Sequence, residues 1–302
     1  MNKFLKIILV FLIPVLIVGV VMEVLLQNIP NIYSYKSEYI STNKKEIETL
    51  LLGSSHTLYD LDPTYFDSNT FNAGHVSQTL DIDYTYLQYY IHNLPELKTV
   101  VLRLSYTTLF EKLGETNEDW RSKNYTIYYP FNSSNKLVYH SEVLSVKFKN
   151  NVSELCDYYL KTDMPIEWNQ LGWGTELAEE KVIDLDKAGE RAAARHTIEN
   201  HEFLPELKST LDLFIRLCEE NNINVILFTA PAFDTYREHL DKNQYQTMMS
   251  IGEKMDNKYL NCRYFNFIDD SLFLEEDFYD ADHLNPKGAK KMSLLMNTLV
   301  NQ

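Results

Sequence analysis

The sequence predicts an α/β fold: a three-layer sandwich on a mostly parallel sheet, preceded by one N-terminal transmembrane helix. Three observations carry this. Short apolar runs rich in β-branched residues alternate with segments whose apolar residues recur every three or four positions. Those runs break at glycine or proline, with Gly53 after Leu52, Gly74 after Ala73 and Pro231 after Ala230. Residues 7–22 hold no charged side chain. Strands separated by helices pair in parallel, with helices covering both faces of the sheet.

The elements follow in order. Phe4–Leu26 is about the length of one bilayer-spanning helix, which needs roughly 20 apolar residues. Pro14 kinks such a helix without preventing the span. Lys3 and Lys6 precede it, so the N-terminus stays in the cytoplasm and the chain beyond is exported. The exit segment EVLLQNIPNIYSY lacks a small-x-small cleavage pattern, which favours a retained anchor over a removed signal peptide. A polar stalk, Ser34–Lys45, leads to a first strand ending in Thr49–Leu52. A second strand covers Thr70–Ala73, and Leu80, Tyr84, Leu87 and Ile91 mark a helix face. Lys98–Leu104 is the third strand, and Leu207, Leu211, Phe214 and Leu217 mark another helix face. Ile223–Thr229 and Arg263–Ile268 are the last two strands. Asn285-Pro286 opens a terminal helix, with asparagine as N-cap and proline at the first helical position. The expected division is residues 1–33 as anchor and exit segment, and 34–302 as one extracytoplasmic domain. That domain carries an insertion at about 111–202, which holds Trp120, Trp168 and Trp173.

Composition narrows the function classes. Asp and Glu outnumber Lys and Arg by 43 to 28, a net charge of −15, which disfavours nucleic acid as a partner. Cys156, Cys218 and Cys262 have no metal-ligand spacing and read as small buried hydrophobes. No cofactor motif is present in the chain, and no metal is expected.

Two short segments carry the chemistry. Leu51-Leu52-Gly53-Ser54-Ser55-His56 is a strand running into glycine and two serines, a turn that exposes a nucleophile beside converging backbone N–H groups. By itself such a serine is more often a helix N-cap. The second segment, Asp280-Ala281-Asp282-His283-Leu284-Asn285-Pro286, places an acid three residues before a histidine on a loop. A serine hydroxyl needs an imidazole to take its proton, and the imidazole needs a carboxylate to hold its tautomer. Alone, this pair also reads as capping and surface polarity. A metal reading of Asp280, Asp282 and His283 lacks a partner cluster of matching spacing.

Together the two blocks resemble the SGNH/GDSL hydrolase superfamily, with Gly53-Ser54-Ser55 in the place of its GDS block and Asp280 and His283 in its D-x-x-H pair. The resemblance implies a flavodoxin-like sheet, Ser55 as nucleophile, His283 as general base and Asp280 as orienting acid. Phe71-Asn72-Ala73-Gly74 is similar to the second block, so the oxyanion hole is expected from the Ser55 and Gly74 N–H groups. The third block, G-x-N-D, is absent, and its place reads Arg103-Leu104-Ser105-Tyr106-Thr107. Ser105 or Tyr106 are candidates to replace its asparagine. A membrane anchor and a GSS start also resemble the branch holding the D-alanyl-teichoic-acid and alginate O-acetylation proteins. That likeness implies a membrane-anchored serine O-acyltransferase of cell-envelope polysaccharide. An acylated glycan or acyl donor would be its substrate, with a membrane-bound O-acyltransferase as a possible partner. The alternatives are an esterase or deacetylase of the same fold, and a catalytically silent glycan-binding scaffold. His56 is expected as a solvated helix-start residue, with substrate contact as the alternative, and His75 and Gln78 as helix-start polarity or cleft lining. Arg103 is expected as half of a structural ion pair, with binding of a carboxylate or phosphate as the alternative.

Overall fold

The computed structural model describes residues 2–161, 165–178 and 184–302. Along the chain, α1 (Asn2–Gln27) and α2 (Ile32–Asn43) precede β1 (Thr49–Leu52) and α3 (Ser55–Asp60). Next come β2 (Thr70–Asn72), α4 (Leu80–Tyr90) and β3 (Thr99–Arg103). Three short helices follow, α5 (Ser122–Tyr128), α6 (Glu142–Ser145) and α7 (Phe148–Cys156). Beyond them lie α8 (Leu185–His196), α9 (Leu204–Glu220), β4 (Asn224–Thr229) and α10 (Asp234–Glu238). The chain closes with α11 (Lys242–Lys258), β5 (Cys262–Asn266) and α12 (Pro286–Val300). Two compact units result: Met1–Glu38 with Asp119–Ile166, and Tyr39–Glu118 with Glu167–Gln302.

The second unit holds a five-stranded sheet in the order β2-β1-β3-β4-β5, parallel throughout. β1 is the chain's first strand but lies between β2 and β3, so the direction of winding reverses there. The carboxyl ends of strands at such a reversal form the crevice where open α/β sheets bind ligands. β1 and most of β3 are buried, as the unbroken apolar runs require of strands covered on both faces. Below one face, Met292 and Met296 of α12 pack with Leu51, Val101, Ile226 and Phe228. Asn285 caps α12 as predicted, its side chain accepting from the Lys287 and Gly288 N–H groups.

The first unit is helical. α1 is long and apolar enough to cross a membrane. The stretch expected as a polar stalk is largely helix, because Tyr33, Lys36 and Ile40 recur at spacings of three and four and bury one side of α2. Of the cysteines, Cys218 and Cys262 are buried as expected, whereas Cys156 is half-buried. The charged run Glu176–Arg195 ends in α8; residues 179–183 of it lie outside the described chain.

Candidate active site

The turn after β1 is built around Gly53. Its φ of 130° lies in the region that favours glycine. A Cβ there would meet Thr57 Oγ1 at 2.6 Å and Arg103 Cβ at 2.8 Å. Thr57 Oγ1 donates to the Leu52 carbonyl at 3.0 Å and so ties the new helix back to the strand it leaves. Ser55 is the first residue of α3, and its N–H therefore lies outside the intrahelical ladder. Ser54 occupies the N-cap position but makes no capping bond; its hydroxyl accepts from Arg103 Nη1 instead.

The loop before α12 brings His283 to this turn. Asp280 Oδ1 accepts from the backbone N–H groups of Asp282 at 3.0 Å and His283 at 2.8 Å, which folds the D-x-x-H segment onto its own carboxylate. That carboxylate lies 3.0 and 3.2 Å from His283 Nδ1. A carboxylate only accepts, so Nδ1 carries the proton and Nε2 of the neutral ring is left to accept. Nε2 is 2.9 Å from Ser55 Oγ, across 228 residues of chain. The fold thus brings Ser55, His283 and Asp280 into one hydrogen-bonded relay.

Buried charge surrounds this relay. Burial opposes an imidazolium at His283, but Asp282, Asp280 and Asp60 outweigh it and raise the group to about 9. Asp280 is buried too, yet its bond to His283 and the two backbone N–H groups hold it below the usual carboxylate range. Burial pushes Asp60 up to about 8 and raises Asp282 as well. Burial, with Arg103 and His283 as positive neighbours, keeps His56 well below its ordinary value. His56 is therefore a neutral, buried ring stacked on His283, centroids 4.6 Å apart, and not the solvated helix-start residue expected.

Several residues that sequence reasoning passed over hold the site together. Asp60, fully buried, accepts the Leu284 N–H at 3.0 Å and so ties the end of α3 to the D-x-x-H loop. Asn72 donates to the Thr57 and Leu61 carbonyls at 2.6 and 2.8 Å and staples α3 to β2. Trp173 Nε1 donates to the Tyr59 carbonyl at 2.6 Å, and Gly174 N–H to the Leu58 carbonyl at 3.0 Å, so part of the insertion braces α3. Only the buried aspartate Asp60 and the asparagine of the F-N-A-G phrase were visible as polar residues inside apolar stretches.

Most of the groups expected to hold an oxyanion make bonds of their own. The Gly74 N–H is committed to Asn72 Oδ1 at 3.0 Å, so it reaches an oxyanion only by sharing or leaving that bond. Ser105 Oγ bonds Thr108 Oγ1 at 2.8 Å. The Tyr106 hydroxyl accepts from the Asp241 N–H at 2.8 Å and bonds Thr197 Oγ1 at 2.9 Å. Both candidate replacements are thus engaged elsewhere. Arg103 stands at the end of β3 with no carboxylate pairing it among the described residues; Ser54 is its partner, and its Nε is buried without one. The ion pair expected of Arg103 is replaced by a bond to the residue beside Ser55. His75 and Gln78 are buried as well, and Gln78 Nε2 donates to Asp83 Oδ1 at 2.6 Å, so neither is solvated helix-start polarity.

His56, Asp282 and His283 each place a potential ligand atom within 4.8 Å of the others. Both His283 nitrogens already face Ser55 and Asp280, so a metal at this cluster would have to take His283 from one of them.

Solved structures are similar to this chain at low sequence identity. A Bacteroides thetaiotaomicron GDSL-like lipase superposes with a TM-score of 0.42 at 14% identity, covering 89% of this chain and 98% of its own. A Bacteroides fragilis chain named for acylhydrolase activity gives 0.42 at 14%, covering 87% and 94%. A Streptococcus pneumonia chain named for platelet activating factor gives 0.43 at 10%, covering 88% and 91%. No protein-family model and no curated protein matches the sequence.

Proposed function

We propose that this chain is a membrane-anchored serine acyl enzyme that moves an acyl group through Ser55 onto a hydroxyl of cell-envelope glycan. The observation that carries the reading is the relay of Ser55 Oγ, 2.9 Å from His283 Nε2, with His283 Nδ1 3.0 Å from Asp280. Ser55 Oγ attacks the ester carbonyl and passes its proton to His283 Nε2. The carbonyl π pair moves onto oxygen, and its return breaks the bond to the leaving alkoxide, which takes the proton from Nε2. The acyl group now sits on Ser55. An acceptor hydroxyl gives its proton to His283, attacks the same carbon and releases Ser55 as alkoxide, which recovers its proton from the imidazolium. Asp280 holds the ring and offsets its charge throughout.

The developing oxyanion meets the Ser55 N–H, which lies outside the α3 ladder, and we assign the second positive contribution to Arg103. Its guanidinium bonds the neighbouring Ser54 and keeps further N–H donors, of which the buried Nε is one. A dry crevice favours a sugar hydroxyl over water as acceptor, and an open one gives an esterase by the same steps. The extracytoplasmic setting follows from reading α1 as the anchor, with the basic N-terminus inside.

The test uses the full chain in detergent with p-nitrophenyl acetate, then with added oligosaccharide acceptors. Ser55→Ala and His283→Ala are expected to lose turnover on the order of 10⁴-fold or more. Wild-type protein is expected to be labelled at Ser55 by a serine-directed phosphonate. Ordinary turnover in either variant, or no labelling together with no turnover in the wild type, overturns the enzyme reading in favour of a binding protein. Acyl transfer to sugar in excess of hydrolysis separates transferase from esterase.

A further inference from the structure

The helical unit carries an apolar face that the relay does not use. Leu144 on α6 is exposed, and so are Phe148 and Val152, one turn apart on α7, with Leu144 and Phe148 at 66% each. Past α7, Tyr159 and Leu160 extend the exposed apolar surface, Leu160 at 78%. Large side chains left in water over so short a stretch mark a surface that something covers. Lys147 and Lys149 flank Phe148 and are exposed, while Lys161, after Leu160, bonds the Asp157 carboxylate at 2.7 Å.

The same segment is seated on the last turns of α1. The Glu23 carboxylate accepts from the Ser141 hydroxyl at 2.6 Å and from the Glu142 and Val143 N–H groups at 2.9 and 3.0 Å, capping α6. The Tyr159 hydroxyl donates to the Leu25 carbonyl at 3.0 Å. From Phe4 to Glu23, α1 runs about 30 Å at 1.5 Å per residue, the thickness of a bilayer's hydrocarbon core. The apolar zone ends at Leu26, within one turn of Glu23, so Glu23 holds α6 at the outer end of that zone. The exposed stripe of α6 and α7 therefore belongs to the part of the unit that meets the headgroups. Apolar side chains interleaved with lysines are the composition that lies in such an interface, the rings and aliphatic chains inward and the ammonium groups toward phosphate.

We infer that Leu144, Phe148, Val152 and Leu160 form an interfacial foot that rests on the outer surface of an anionic bilayer beside the anchor. The inference depends on α1 spanning that bilayer and not on the chemistry at Ser55. The foot would fix the rotation and height of the helical unit, which a single spanning helix leaves free.

The full chain, with Cys156→Ser, is reconstituted in vesicles of equal parts phosphatidylcholine and phosphatidylglycerol. Single nitroxide labels are placed at Leu144→Cys, Phe148→Cys and Leu160→Cys, with Val15→Cys in the anchor and Leu260→Cys, fully exposed in the other unit, as references. These sites are exposed, so the labels disturb no packing. The three foot labels are expected to be relaxed by dissolved oxygen over a water-soluble nickel chelate with a ratio several-fold above that of Leu260→Cys. Ratios equal to that of Leu260→Cys, with Val15→Cys in lipid, overturn the foot and leave the anchor standing. An aqueous Val15→Cys overturns both. Protection from both reagents means that protein covers the face and overturns lipid as its occupant.

Discussion

The turns after β1 and β3 make an instructive pair. Both follow buried parallel strands that are direct neighbours in the sheet, and both carry serine just past the strand end. After β1, Gly53 takes a φ of 130° and α3 begins at once, so Ser55 Oγ is presented to His283. After β3, the chain continues through Arg103 and Leu104, and the Ser105 N–H and hydroxyl both bond Thr108 Oγ1 at 2.8 Å. A glycine and an immediate helix expose one serine; a turn closed by Thr108 absorbs the other. What β3 offers the crevice is not the hydroxyl but the longer Arg103, whose reach spans the gap to Ser54. Serine beside a strand end is thus no signal by itself, and the backbone at the preceding residue decides.

Substitutions sharpen that contrast. The largest effect is expected from exchanging the two serines' fates. Against the loss on the order of 10⁴-fold set for Ser55→Ala, Ser105→Ala should keep kcat/KM within about threefold. A comparable loss at Ser105 would mean that the turn after β3 does more than hold itself in place. Arg103→Ala comes next, with kcat lowered about 10²–10³-fold and KM little changed, and Arg103→Lys recovering part of it. An unchanged kcat in Arg103→Ala removes the guanidinium from the oxyanion account.

A smaller effect is expected from pH. The base must be neutral to accept the Ser55 proton, and His283 is raised to about 9, so most of it is imidazolium at neutral pH. Activity should therefore rise with pH, kcat/KM gaining about 50-fold between pH 7 and pH 9 for a group titrating there. Asp282→Asn removes one of the carboxylates that raise His283, and should move the midpoint of the profile to lower pH. A profile that is flat across this range, or a midpoint unmoved in the variant, breaks the electrostatic description. The smallest change concerns stability. Gly53→Ala forces a side chain into positive φ and onto Thr57 and Arg103, and should destabilise by about 1–3 kcal/mol in chemical denaturation.

Apolar runs bounded by glycine and proline, together with a capped terminal helix, made the five strands and α12 legible from residue order, because burial on both faces leaves a local compositional trace. The anchor-length helix was legible from its uncharged run, and Ser55, Asp280 and His283 stood out by residue type; the structure brings these three into hydrogen-bonding contact. Residue order could not show the roles of Asp60, Asn72 and Arg103. Each is a polar group whose partner lies on a different element: Leu284 for Asp60, the carbonyls of α3 for Asn72, and Ser54 for Arg103. His56 was misread for the same reason, since adjacency to a helix start says nothing of the ring that stacks on it. Sequence alone determined which segments must be buried and which side chains are of the types that acyl chemistry would need. Only the tertiary structure decided which serine is presented and which charge stands beside it, because both depend on backbone direction and on contacts between residues far apart in the chain.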